Sequence, residues 1–110
     1  MDVDSEIKKL GALGVAAALW QECGKGIIHL PRFGFAAGGA EHDMDLLLYP
    51  HARDGYATRL FFQRPLNIGQ AKNWRVHAIC NSTWHAPSWQ GVPPDLTAME
   101  MIAAHLRCLK

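Results

Sequence analysis

His77-Ala78-Ile79-Cys80-Asn81-Ser82-Thr83-Trp84 sets an imidazole, a thiol, an amide and two hydroxyls between an apolar run ending near Phe62 and an apolar helix beginning near Leu96. Packed domains concentrate reactive groups on irregular connections of this kind. With 77–84 as a loop, everything before it is scaffold. A nucleophilic thiol needs exposure and a nearby positive charge or helix N-terminus, and Arg75 and His77 stand close to Cys80 in sequence. The competing reading of Cys80, after Ala78-Ile79, is a small buried hydrophobe.

Upstream, Asp43-Met44-Asp45-Leu46-Leu47-Leu48-Tyr49 reads as a strand whose last four residues are apolar without a break, a sign of burial on both faces. Pro50 stops it. His51-Ala52-Arg53-Asp54-Gly55 carries turn chemistry, and Tyr56 to Phe62 forms the next strand. Earlier, Ile27-Ile28-His29-Leu30 is a short first strand limited by Pro31. Phe33 and Phe35 alternate across Gly34 as a second extended segment, and Ala36-Ala37-Gly38-Gly39-Ala40 is a loop by composition. That run has no GxGxxG or GxxxxGK[ST] pattern, so no phosphate cradle is read there.

The first helix is expected from Asp4 and Ser5, both good caps, to about Glu22, with Leu10, Leu13, Ala17 and Trp20 at helical spacing. Gly11 and Gly14 weaken its middle, and Gly24-Lys25-Gly26 ends it. Downstream, Pro65 and Gly69 open the irregular segment, which Trp74, Val76 and Ile79 pin to the core. Thr97-Ala98-Met99-Glu100 has capping-box spacing for a last helix striped by Met99, Ile102, Ala103, Leu106 and Leu109. The expected fold is α+β in a single domain, 1–110: a helix, an antiparallel meander of three to four strands, a long active-site loop and a C-terminal helix.

Composition narrows the function classes. Eleven Lys and Arg against 10 Asp and Glu give a formal charge of +1, so no overall field draws in nucleic acid or an anionic membrane. Cys23, Cys80 and Cys108 are odd in number and lack CxxC spacing, which indicates neither a disulfide framework nor a zinc knuckle. Cys23 and Cys108 fall on helical patterns and read as packing residues. The acidic start Met1-Asp2-Val3-Asp4 is unlike a secretion signal, and no run approaches the ~18 apolar residues of a membrane span. A cytoplasmic protein is expected.

The order of elements, with a cysteine between the last strand and a helix, resembles the core of the ubiquitin-conjugating enzyme family. Asp45-Leu46-Leu47-Leu48-Tyr49-Pro50 followed by Tyr56, then Phe61-Phe62 with Pro65, is similar to the family's central strands. Cys80, Trp89 and Pro93-Pro94-Asp95-Leu96-Thr97 resemble its active cysteine, following tryptophan and next helix. Trp74-Arg75, Trp89, Pro93 and Asp95 resemble the compact bacterial branch. Its members sit beside an activating enzyme, a ubiquitin-like protein and a metal-dependent deconjugating peptidase. Eukaryotic members carry His-Pro-Asn shortly before the cysteine. Here Arg64-Pro65-Leu66-Asn67-Ile68 stands further upstream.

The resemblance implies a transferase of a bacterial conjugation pathway serving antiviral defence, needing no cofactor or metal. Cys80 would carry a ubiquitin-like protein as a thioester and pass it to an amine or hydroxyl. Asn81 and Asn67 are candidate donors to the tetrahedral oxyanion, and His77 the nearest base. Ser82 is a second nucleophile, one that would form an oxyester. Two other readings stand beside this. One is a non-catalytic adaptor that binds the ubiquitin-like protein or its activating enzyme. The other is a metal-dependent hydrolase drawing ligands from His42, Asp43, Asp45, His51, His77 and His85.

Overall fold

The computed structural model describes residues 1–67 and 73–109. Ile68 and Gly69, part of the segment read as irregular, lie outside the described residues. Asp2 caps the first helix, α1 (Val3–Ala12), its carboxylate accepting from the Ser5 N–H at 3.2 Å. The helix is shorter than its apolar spacing predicts. Gly14 takes φ +79°, a left-handed conformation that ends helices, and the residues that follow are extended instead. Trp20 and Glu22, expected at the end of a helix, lie on strand β1 (Ala18–Glu22).

The chain then runs through β2 (Lys25–Ala37), β3 (Ala40–Tyr49), β4 (Arg59–Phe62), β5 (Trp74–Ile79) and β6 (Ser82–Pro87) to helix α2 (Ala98–Arg107). The strands form one six-stranded antiparallel sheet in the order β1-β2-β3-β4-β6-β5. The expected α+β class is present, and the segments expected as strands form the antiparallel meander β2 to β4, to which β1 adds an unexpected strand. The expected active-site loop is not present. Residues 74–87 form a hairpin that adds two strands to the sheet.

The two extended segments expected on either side of Pro31 are one strand. Leu30 pairs with Leu46 and Phe33 with Met44, so Pro31 and Arg32 together stand opposite Asp45 in a β-bulge. Arg32 adopts φ 49° there. Asp45 ties down the irregularity: Oδ1 accepts from the Arg32 N–H at 2.9 Å, and Oδ2 from His29 Nε2 at 3.0 Å.

Both helices cover one face of the sheet. Leu10, Met101, Ile102 and Leu109 pack there on Ile28, Leu30, Leu46, Leu48, Leu60 and Phe62. Glu6 of α1 joins the helices, its carboxylate accepting from the Ala98 N–H at 2.7 Å. The residues in between along the strands, Ile27, Leu47, Tyr49, Phe61, Ile79, Trp84 and Ala86, form a second buried cluster on the opposite face. No helix covers it. The sheet closes that face by rolling.

The rolling follows from distances. β1 and β6 are separated by three strands, and at roughly 4.8 Å per strand a flat sheet would hold them about 19 Å apart. Yet the Trp20 and Trp84 ring centroids lie 5.9 Å apart, edge to face, and His29 stacks on Trp20 at 4.3 Å. Strand twist of roughly −20 to −25° per step accumulates across the sheet and lifts two diagonal corners toward each other. Those corners are the β1–β2 turn and the β5–β6 turn. No helix of the described residues is long and apolar enough to cross a membrane.

Candidate functional site

The two lifted corners are built alike. Glu22 pairs with Lys25 and Ile79 with Ser82, which leaves two-residue turns, Cys23-Gly24 and Cys80-Asn81. All four turn residues have positive φ: 51° and 76° in the first, 51° and 63° in the second. Type I′ hairpin turns require this, and they usually place Asn or Gly first. Here a cysteine is first in both. Cys80 is exposed, and its Sγ donates to the Gln21 carbonyl across the gap at 3.2 Å.

That setting opposes thiolate formation. Burial of the sulfur pushes the Cys80 thiol up, and the charges of Glu22 and Cys23 push it further the same way. Arg75 and His77, expected as activating cations, are not among the groups acting on it. His77 instead turns onto the rolled face. Its ring meets Phe61 edge to face at 5.1 Å, Nδ1 lies 3.7 Å from Asp54 Oδ2, and Nε2 is buried without a hydrogen-bond partner. Burial first, then the Arg59 charge, lowers its pKa, so the ring stays neutral more readily than a free imidazole.

The other sequence candidates scatter around the turn. Asn81 is its second residue, adjacent to Cys80 and exposed; Ser82 opens β6, exposed, beside the turn. Asn67 is exposed after β4 and has no hydrogen bond to Cys80 among the described residues. The turn therefore brings together Cys80, Asn81 and Ser82, and leaves His77 and Asn67 outside. Cys23, read as a helix packing residue, is exposed in the facing turn.

Beside this corner runs a charged network that sequence spacing did not reveal, because β1 meets the end of β3, the 53–56 turn and β4 there. Tyr49 Oη donates to Glu22 Oε1 at 2.8 Å, and Arg53 Nε lies 3.5 Å from the same oxygen. Asp54 Oδ2 lies 3.4 Å from Arg53 Nη1 and 3.8 Å from Arg59 Nη1. Arg59 sits over the Tyr56 ring at 4.1 Å. Burial and the neighbouring Glu22 push the Tyr49 hydroxyl up to about 12. The network fixes Glu22, and with it the carbonyl strand that holds Cys80.

The residues considered as metal ligands do not converge. His42 Nε2 donates to the Ala37 carbonyl at 3.1 Å, His51 Nε2 donates to the Gly26 carbonyl at 2.8 Å, and Asp45 holds the bulge. His77 faces Asp54 on the rolled side. His85 alternates with Trp84 and Ala86 and so points to the opposite face. Among the described residues no three His, Cys, Asp or Glu side chains are grouped to hold a metal ion. The hydrolase reading therefore loses its ligand set.

Comparison of the chain with protein-family models, with curated proteins and with solved structures finds no match.

Proposed function

We propose that this protein is a ubiquitin-conjugating-like transferase that accepts a ubiquitin-like protein on Cys80 and passes it to an amine or hydroxyl of a target. The observation that supports this is the placement of Cys80. It is an exposed thiol at the tip of the hairpin that follows a helix and a four-strand meander and precedes the capped helix α2. The resemblance expects a cysteine in a loop between the last strand and a helix; here a β-hairpin stands in that place, so the support is the exposed thiol ahead of α2 and not the loop.

In this reading the Cys80 thiolate attacks the thioester carbonyl on an activating enzyme, expels that enzyme's thiolate and becomes the new thioester. The target nucleophile then attacks, and the Cys80 thiolate leaves. Asn81 and the turn N–H groups are the donors nearest in sequence to the oxyanion, and one such donor is typically worth ~10²-fold or more in rate. Because the resting thiol is held protonated, loading requires the activating enzyme to displace the Gln21 contact or offset the Glu22 charge. Bacterial conjugation in antiviral defence, with a deconjugating peptidase as a further partner, is the setting the resemblance implies.

The second reading, a non-catalytic adaptor on the same fold, is favoured by one observation, the raised and hydrogen-bonded thiol of Cys80. Intact mass after incubation with ATP, the activating enzyme and the ubiquitin-like protein separates the two. A thiol-labile adduct on wild type, absent from Cys80→Ala and retained in Ser82→Ala, is expected. A thiol-resistant adduct lost only in Ser82→Ala would move the chemistry to the hydroxyl. Binding without any adduct would replace the carrier with the adaptor.

A further inference from the structure

The facing turns hold a feature that carrying an acyl group does not need. Each places a cysteine at φ 51°, in the first central position of a two-residue turn, where a side chain other than Asn, Asp or Gly is disfavoured. A local choice made twice against turn chemistry, at two corners that meet, points to a use for both side chains. Cys80 Sγ already bonds the carbonyl of Gln21, and the peptide carrying that carbonyl leads to Glu22, the residue before Cys23. The two sulfurs act on each other electrostatically, both residues are exposed, and Cys108 is buried in the helix-side cluster.

We propose that Cys23 and Cys80 form a reversible disulfide that pins the β1–β2 turn to the β5–β6 turn when a disulfide oxidant such as glutathione disulfide is present. One protein thiolate attacks a sulfur of the oxidant, forming a mixed disulfide and releasing one glutathione thiolate. The second protein thiolate attacks the protein-bound sulfur of that mixed disulfide, closing the Cys23–Cys80 bond and releasing the second glutathione. The two thiol protons end on the two glutathiones, and the electron pair given up by the protein reduces the oxidant.

The bond is independent of whether Cys80 carries a ubiquitin-like protein. If it does, the bonded form cannot be loaded.

The test is intact mass and peptide mapping of the purified chain after exposure to glutathione disulfide, with wild type, Cys23→Ser and Cys108→Ser. Wild type and Cys108→Ser are expected to lose two hydrogens, to keep no glutathione, and to yield a linked peptide pair containing Cys23 and Cys80 that dithiothreitol separates. Cys23→Ser is expected to show no internal link and to retain glutathione on Cys80. Wild type carrying glutathione on both exposed cysteines with no linked pair, or linking Cys108 instead, would overturn the proposal. The wild-type peptide map decides the matter even if the Cys108 variant fails to fold.

Discussion

At the scale of single residues, the thiol and the buried imidazole make opposite demands on pH. The Cys80 thiol is pushed up by burial and by Glu22, so Glu22→Gln should move the midpoint of Cys80 alkylation by iodoacetamide to lower pH. The measurement belongs in a Cys23→Ser background, and an unmoved midpoint would remove Glu22 as a cause. His105 lies in the helix-side interior. Thr58 Oγ1 donates to the Val92 carbonyl at 2.8 Å, so its one proton is used, and His105 Nε2 must donate to it across 2.9 Å. Burial, then the Arg59 charge, lowers the His105 pKa to about 4. The fold thus prefers the neutral ring. Its contribution to stability is full above the unfolded value of roughly 6.5 and is lost as pH falls from there to about 4. Over that window wild type should lose about 3 kcal/mol more than His105→Gln, measured by urea unfolding at each pH. Sequence named Cys80, Asn81 and Ser82 as neighbours because they are adjacent. For His77 the outcome depended on whether the segment is extended, which would carry its side chain away from Cys80, and on β5 it is extended.

At the scale of elements, local chemistry was legible and long-range pairing was not. Helix α2 could be read because its start is decided within four residues. Thr97 Oγ1 accepts from the Glu100 N–H at 3.2 Å, and Glu100 Oε1 accepts from the Thr97 N–H at 2.9 Å. Strand β1 could not, because Leu13, Ala17 and Trp20 mimic a helical stripe that Gly14 interrupts. The β5–β6 hairpin was hidden for a related reason: Cys80-Asn81 lacks the Asn-Gly signature of its turn type. Glu6 adds a tertiary cap to α2 that no local pattern encodes. Thr97→Ala should cost about 1 kcal/mol, and Glu6→Ala about 1–3 kcal/mol because the buried Ala98 N–H loses its acceptor. Since both end on one helix terminus, the double variant should depart from additivity in urea unfolding by more than about 0.5 kcal/mol. Simple addition would show two separate caps.

At the scale of the whole molecule, the sheet serves two cores by different means: helices cover one face, and curvature closes the other. Trp20 is the residue on which the second closure turns, since it touches both His29 and Trp84. Trp20→Ala should cost about 2 kcal/mol and, by loosening β1, speed alkylation of Cys80. A loss of stability with alkylation unchanged would separate the aromatic closure from the corner contact. This closure was not legible in the sequence, because it joins β1 to β6, strands that no spacing rule relates. The bulge at Pro31-Arg32 makes the double service possible within one strand. Before it, even-numbered side chains of β2 face the helices, as Ile28 and Leu30 do; after it, odd-numbered ones do, as Phe33, Phe35 and Ala37 show. The strand is written in two reading frames joined at a single extra residue. Ironing the bulge flat with every residue kept would be a frameshift in space: the chemical letters would survive, and Phe33, Phe35 and Ala37 would change sides together.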